Sequence, residues 1–360
     1  MLYYKLNFLL AGLISFSAYS QIATNSLFRE TKSINPAVIS KRPDAVFSIV
    51  GKADQVEKGQ DLSTSAFGSE AKSDSKVKVT SQDLFYGGKG NGFTSELFLN
   101  NSIGKKDDKI TTPFFSNSQS NSVTSQYGHL GLGLGQNFGI SMGGIKYSSK
   151  GSFEFSNNGT TYSDNYKSDT TAIIPKLGIA YKMLLDWGIF YQRMMMKSTT
   201  VQNGTEQLNK DKFDIAGGGV GTSSKNFHTE VAFERYVKTN RVTNDGITYR
   251  EVFPSRAMFS LEFFWGKLSL GYTGFYYQNG FMNFDNLLFN SLVYAENWEK
   301  ARLENNFNFS LGSEKGHSFS GSVSFSNLKS SEKNMYAGGE TKFPTTTKSM
   351  GISVKYAYIF

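Results

Sequence analysis

The residues of this chain with the most obvious chemical potential are three histidines, His129, His228 and His317, and a serine in the motif Gly139-Ile140-Ser141-Met142-Gly143. A G-x-S-x-G motif indicates a nucleophilic serine where a strand turns sharply into a helix. Here the motif lies inside an alternating, strand-like pattern, so we interpret the match as coincidence. The histidines are far apart in sequence and belong to no local protease or phospholipase motif. The sequence therefore predicts a protein that is not an enzyme.

The amino-acid composition excludes several kinds of binding site. Cysteine is absent, which excludes disulfides, thiolate nucleophiles and zinc–cysteine sites, and we expect neither a metal site nor a cofactor. The formal net charge is +8, but lysine and arginine are scattered and form no patch typical of nucleic-acid binding. The excess of positive charge indicates either a lumen that favours anions or a surface that faces anionic lipopolysaccharide.

Charged residues at the polar positions of the alternating segments are the candidate lumen residues. We expect them to form a charge network, in which pairing satisfies polar groups that are removed from water. The same groups would also serve to set solute preference, and the pattern is compatible with both roles. These residues are Lys176, Lys182, Glu230, Glu234, Glu262 and Lys267.

The end of the chain shows which secondary structure carries these side chains. From Met350 onward, apolar residues alternate with small or polar ones, as in a barrel strand with one face in lipid and one in the lumen. The residues on the apolar face are Ile352, Val354, Tyr356, Tyr358 and Phe360. High aromatic content (15%), 36 glycines and only 6 prolines also suit strands better than helices.

The same alternation recurs along the chain and predicts about 14 strands. We place them at roughly 44–52, 76–87, 92–101, 124–135, 137–149, 172–184, 186–199, 212–222, 226–238, 254–265, 267–278, 301–312, 317–328 and 348–360. Their connections alternate between long and short, as a barrel with both termini in the periplasm requires. We therefore predict an all-β fold over 44–360, an antiparallel transmembrane β-barrel with long extracellular loops and short periplasmic turns.

Aromatic residues support this orientation, because they gather beside the short turns, where a periplasmic girdle would lie. They are Phe93, Phe138, Trp187, Phe227, Trp265 and Phe319.

The alternation slips at Gly143-Gly144 and resumes with Ile145 and Tyr147, which predicts a β-bulge. The alternative fold, a secreted soluble sandwich, would have to bury every apolar strand face.

Both termini carry features of an exported barrel. Residues 1–20 combine Lys5, an apolar run and the small residues Ala18 and Ser20, which predicts a secretory signal peptide cleaved near Ser20. The chain ends in Tyr356, Tyr358 and Phe360, and this terminus resembles the signal by which barrel assembly machinery recognises its substrates. We expect the mature protein in the outer membrane of a Gram-negative bacterium, in contact with its lipid and lipopolysaccharide.

The segment 21–43 precedes the first strand and contains Asn35, Pro36 and Ala37. At this motif the sequence resembles the long-chain fatty acid and toluene transporter family (FadL-like), in which an Asn-Pro-Ala motif lies in an N-terminal hatch that plugs a 14-stranded barrel. The resemblance implies that 21–43 is a hatch-like segment. Proline bars a continuous helix or strand here, so the segment must avoid lipid by lying in the lumen or the periplasm.

Two functions remain open from the sequence. The first is an outer-membrane channel, porin-like or selective, that transports small hydrophobic or amphipathic molecules. The second is a non-enzymatic structural barrel, either a surface scaffold or part of a secretion assembly. An apolar pocket that runs from the outer loops into the lumen would favour transport, whereas a lumen filled by side chains would favour the structural role.

Overall fold

The computed structural model shows an antiparallel sheet that closes on itself. It describes residues 35–41, 45–61, 72–90, 93–111, 115–157, 159–182, 185–202, 204–224, 226–242, 248–252, 256–277, 281–286, 291–298, 302–312, 316–336 and 339–359. Within these ranges no helix is long and apolar enough to cross a membrane. The predicted signal peptide and most of 21–43 lie outside the described residues.

The elements follow one another along the chain as a 3-10 helix and a series of strands. The helix spans Pro36–Lys41. The strands are β1 Val46–Asp61, β2 Lys72–Lys89, β3 Phe93–Thr111, β4 Phe115–Leu134, β5 Phe138–Asn157, β6 Thr160–Lys182, β7 Asp186–Gln202, β8 Thr205–Ser223, β9 Phe227–Val242, β10 Thr248–Val252, β11 Arg256–Trp265, β12 Leu268–Tyr277, β13 Phe281–Asn286, β14 Ser291–Trp298, β15 Arg302–Gly312, β16 Gly316–Tyr336 and β17 Gly339–Ile359.

Neighbouring strands pair in sequence order, and β1 pairs with both β2 and β17, so the barrel is closed. Between β9 and β16 the wall contains β11, β12 and β15 near the termini and β10, β13 and β14 at the opposite end. Each level of the wall therefore has 14 strands, which confirms the predicted fold class.

The strands extend further from the termini than the alternation predicts. For example, β4 begins at Phe115 and β6 at Thr160, in segments that the pattern assigns to long loops. Beyond the membrane both faces of a strand meet water, so the apolar alternation disappears although the hairpin hydrogen bonds continue. Some connections at this end are tight turns, with positive φ at Gly159 (83°) and Gly204 (72°).

The outward faces of the strands near the termini form the apolar belt that the alternation predicts. On β4 the outward Leu130, Leu132 and Leu134 are exposed, whereas the inward Gly131 and Gly133 are buried. The aromatic residues beside the short turns are also exposed; Trp265 is 57% exposed and Phe319 56%. A lipid solvent accounts for this surface, because large exposed apolar areas are unfavourable in water.

The predicted β-bulge at Gly143-Gly144 is wrong. The registers of β5 with β4 and with β6 run through both glycines without a shift. Ile145 instead faces the interior, where it packs against buried apolar side chains from neighbouring strands. The sequence pattern misleads here because the lumen contains an apolar region, so an apolar residue at an inward position needs no change of register.

The ladder between β6 and β7 has one interruption. Cross-strand pairs stop at Ile173 with Met195 and resume at Lys176 with Gln192. Pro175 lies in this gap, and proline has no N–H to donate to the neighbouring strand. The interruption therefore follows from a single residue of β6.

Candidate functional site

Residues 35–41 lie inside the barrel, close to the ends of the strands that the short turns connect. We call them the plug segment. They contact β3, β4, β5 and β6. Asn35, Ala37 and Ile39 are 0% exposed, so the lumen encloses them completely. The structure thus places the predicted hatch residues Asn35, Pro36 and Ala37 inside the barrel, against its inner wall.

Asn35 connects the plug segment to the wall. Its Oδ1 accepts a hydrogen bond from the backbone N of Ala37 at 3.0 Å, which caps the first turn of the 3-10 helix. Its Nδ2 donates to the backbone O of Ile179 on β6 at 3.2 Å. At the other end of the segment, Thr94 Oγ1 on β3 donates to the backbone O of Ile39 at 2.7 Å. Both ends are therefore held by polar contacts to the barrel.

Glycines of the inner wall make room for the plug segment. A Cβ at Gly139 would overlap the backbone of Pro36, and a Cβ at Gly178 would overlap the side chain of Asn35. A Cβ at Gly131 on β4 would crowd the side chain of Ile39, and a Cβ at Gly188 on β7 would crowd that of Asn35. Glycine allows the segment to lie this close to the wall, and we call the four residues the glycine cradle.

A buried, hydrogen-bonded pair of ionisable side chains lies beside the plug segment. His129 Nε2 on β4 is 2.6 Å from Glu96 Oε1 on β3, and both side chains are 0% exposed. Both also lie next to Gly131, which touches Ile39 of the plug segment. Lys176 on β6 is buried as well, within electrostatic reach of Glu96 and Glu234. Opposite charges thus compensate one another where water is excluded.

A second group of ionisable side chains lies across the barrel on β9 and β11. His228 Nε2 is 3.6 Å from Glu230 Oε2, and Glu262 is the direct cross-strand partner of His228. All three are buried. Together the two groups place buried histidine, glutamate and lysine side chains on the inner wall at this depth.

The interior becomes apolar one step further from the short turns. The apolar layer consists of Phe85, Phe98, Tyr127, Ala172, Ile174 and Met194. Phe98, Tyr127 and Ile174 each lie two residues beyond a member of the first charged group on the same strand. A second cluster, from β7 to β12, contains Phe190, Ile215, Ala232, Met258 and Phe275. A purely aqueous pore would carry polar residues at these positions.

The apolar layer is closed in this structure. Its side chains are at most 5% exposed, so the β2–β7 side of the lumen is packed at this depth. A cavity of about 690 Å³ lies further out, at the distal ends of β1–β5 and β17. Its lining is mostly polar and includes no residue of the apolar layer. Within the described residues, the cavity is therefore not an apolar entrance to the lumen.

Comparison with known proteins finds similar folds among solved structures. No family model and no curated protein matches the sequence. Among solved structures, the barrel is similar to the toluene transporter TodX of Pseudomonas putida, with a TM-score of 0.53, 12% identity and coverage of 91% of this chain and 92% of that chain. It is also similar to a FadL homologue of Pseudomonas aeruginosa, with a TM-score of 0.54, 10% identity and coverage of 90% and 92%.

These likenesses confirm, at the level of the fold, the resemblance to the FadL-like family that the Asn-Pro-Ala segment suggested. The first of these structures is named as a toluene transporter, and the second as a FadL homologue. At 10–12% identity they carry over no residue role to this chain.

The structure places the predicted charged residues in different environments. Lys176, Glu230 and Glu262 are buried in the lumen, and Glu234 is half-buried. Lys267 is exposed in the short turn between β11 and β12, because Gly266, with φ of 58°, ends the strand before it. The side chain of Lys182 lies outside the described residues.

From the sequence, His129 stood out only as one of three isolated histidines and Glu96 did not stand out, although the two form a fully buried, hydrogen-bonded pair. The alternation predicts an inward position for each residue, but whether the two meet depends on the register of β3 with β4.

At the C-terminus, Tyr356 OH is 2.7 Å from His317 Nδ1, and Tyr358 packs edge-on against the same ring at 5.1 Å. Phe360 lies outside the described residues.

Proposed function

We propose that this chain is an outer-membrane channel, closed by its plug segment, that transports small hydrophobic or amphipathic molecules. The observation that carries the proposal is the apolar layer, which lies inside the barrel directly beyond the plug. An aqueous pore has no use for buried Phe98 and Ile174 at membrane depth, whereas an apolar solute would be solvated by them. The protein would bind its solute without chemical conversion and without a cofactor.

The plug segment explains how such a channel stays closed. Its backbone and the buried Asn35 side chain leave no gap at the glycine cradle. Transport therefore requires the plug segment to move, and the polar contacts at Asn35 and Thr94 are few enough to break. The name of one structure that shares the fold, the toluene transporter TodX, agrees with this proposal.

A structural barrel is the second candidate, and the packed lumen favours it. Uptake measurements separate the two. Cells that produce the protein are compared with empty-vector cells for uptake of a radiolabelled aromatic hydrocarbon, a medium-chain fatty acid and a hydrophilic sugar. Faster uptake of the hydrophobic probes alone supports the channel. Unchanged uptake of all three supports the scaffold, and faster uptake of the sugar indicates a general pore.

Polar substitution in the apolar layer should slow transport. We expect Phe98→Ser to reduce hydrophobic uptake about tenfold, which corresponds to about 1.4 kcal/mol of lost solute stabilisation. The matched control is Asn121→Ser, an inward position of β4 outside the layer. Uptake is normalised to folded protein by the gel-mobility shift on boiling. Equal rates for Phe98→Ser and the control would remove the apolar layer from the route.

A further inference from the structure

The outward face of the barrel carries lysines opposite one another on neighbouring strands. Lys78 on β2 is the direct partner of Lys105 on β3. Lys150 on β5 is the direct partner of Lys167 on β6. Directly opposed like charges destabilise a sheet, because their Cβ atoms are only about 5 Å apart. Such pairs are therefore unfavourable unless an anion lies between them.

The two pairs belong to one row. Ser122 on β4 is the partner of both Lys105 and Lys150, so the row crosses five adjacent strands without a break. We call Lys78, Lys105, Ser122, Lys150 and Lys167 the lysine row. At a strand spacing of about 4.8 Å it is about 19 Å wide. All five residues are exposed.

The depth of the row coincides with the edge of the apolar belt. On β3 the outward residues run from Phe93 at the short turn to Ile103, and Lys105 is the next. Along a strand tilted by about 40°, the distance from Phe93 to Lys105 is about 30 Å. That is the thickness of a hydrocarbon core, about 30 Å, so the row lies at the headgroup level of the outer leaflet.

Local carboxylates compensate the row only in part. Lys105 Nζ is 3.2 Å from Asp107 Oδ1, and Lys167 Nζ is 2.6 Å from Asp169 Oδ2. The hydrogen bond from Ser120, supported by nearby Lys105 and Lys78, holds the pKa of Asp107 below its usual value, so this carboxylate is ionised at neutral pH. Four cations then face two carboxylates, which leaves a positive surface.

A third pair extends this surface. Lys197 on β7 is the direct partner of Lys210 on β8, and both are exposed on the outward face. Met195, the outward residue two positions nearer the short turn, belongs to the apolar belt. The opposed lysines thus recur at the belt's outer edge on a different part of the circumference.

We propose that the lysine row binds the phosphate groups of an outer-leaflet glycolipid whose headgroup carries more than one phosphate. Each opposed pair flanks one phosphate with two ammonium groups, which turns an unfavourable contact into a charge-assisted one. The serine between the pairs provides a hydroxyl for the sugar part. The proposal rests on the outer-membrane location given above, and it does not require transport.

The test is binding of lipopolysaccharide to the purified full chain in detergent. The row variant carries Lys78→Gln, Lys105→Gln, Lys150→Gln and Lys167→Gln. The control variant removes the same charge from exposed lysines outside the row and carries Lys72→Gln, Lys89→Gln, Lys109→Gln and Lys267→Gln. We expect the row variant to bind on the order of a hundredfold more weakly than the wild type, and the control variant to bind normally.

Two further arms identify the ligand. Enzymatically dephosphorylated lipopolysaccharide should bind the wild type as weakly as intact lipopolysaccharide binds the row variant. Inorganic phosphate at the same phosphate concentration should not compete, because a free anion lacks the spacing and the acyl chains of the lipid. Competition by inorganic phosphate would replace the glycolipid with a simple anion site and overturn the assignment.

Stability in lipid-free detergent provides a check that does not depend on binding. Without lipid, removal of the opposed charges should leave the row variant at least as resistant to heating as the wild type. Adding lipopolysaccharide should raise the melting temperature of the wild type and of the control variant only. If the row variant fails to fold, the pair Lys78→Gln with Lys105→Gln replaces it. Equal binding of lipopolysaccharide by the wild type and the row variant overturns the proposal. Unchanged uptake of hydrophobic probes by the row variant shows that lipid binding is separate from transport.

Discussion

Replacing Gly139 with valine should convert the closed barrel into one that conducts steadily. The new side chain would occupy the position of the Pro36 backbone, so the plug segment must leave the glycine cradle. The β5 strand itself tolerates valine well. We expect long-lived open steps in planar bilayers from the Gly139→Val variant and none from the wild-type protein. Gly178→Val, which displaces the Asn35 side chain, should have the same effect.

The matched control lies on the same strand. Gly144 is exposed on the outward face, and the nearest atom to an added Cβ is the backbone O of Ala172 at 3.9 Å. Gly144→Val should therefore fold and remain closed. A gentler variant, Asn35→Ala, loses two hydrogen bonds without adding bulk, which corresponds to about 2 kcal/mol or on the order of 30-fold more frequent opening. A folded Gly139→Val barrel that stays closed would contradict the role of the plug segment.

Replacing Glu96 with alanine should destabilise the barrel more than any surface substitution. The change leaves His129 and Lys176 buried without the nearest carboxylate. Removing one partner of a buried pair costs about 3–5 kcal/mol. We expect a loss of about 3 kcal/mol in the free energy of unfolding, measured by urea titration of tryptophan fluorescence in lipid vesicles.

Two further variants separate the effect of removing the Glu96 charge from other effects of the substitution. Glu206→Ala removes an exposed carboxylate from β8 and should change the free energy of unfolding by less than about 0.5 kcal/mol. Glu96→Gln keeps the shape and a hydrogen bond to His129, so its effect should lie between the two. If Glu96→Ala and Glu206→Ala behave alike, the buried Glu96–His129 pair contributes nothing to stability.

Much of the candidate site could be anticipated from sequence. The Asn-Pro-Ala segment was recognisable as unable to continue as a long helix or strand and as unsuited to lipid, and the structure places it in the lumen as a short 3-10 helix. Alternation also placed Lys176, Glu230 and Glu262 on the inner face. Their partners could not be identified, because Glu96 lies 33 residues from His129 along the chain and the two meet only through the register of neighbouring strands.

The glycine cradle shows most clearly what could not be predicted from the sequence. Gly131, Gly139, Gly178 and Gly188 all occupy inward positions, where any small residue fits an alternating pattern. What makes glycine necessary is the plug segment, which comes from elsewhere in the chain and contacts four strands at once. Ile145 is a similar case. Its apolar side chain suggested contact with lipid, but in the structure it packs against the apolar layer inside the barrel.

The sequence by itself determined the strand number, the inward and outward faces over most of each strand, and the end of the barrel at which the short turns lie. Those properties are local, because side chains alternate at every second residue and each face meets its own solvent. Only the tertiary structure decided which inward residues meet, that the plug segment fills the lumen, and that four lysines and a serine from five adjacent strands align in one row. These depend on strand register and barrel closure, which are set jointly by the whole chain.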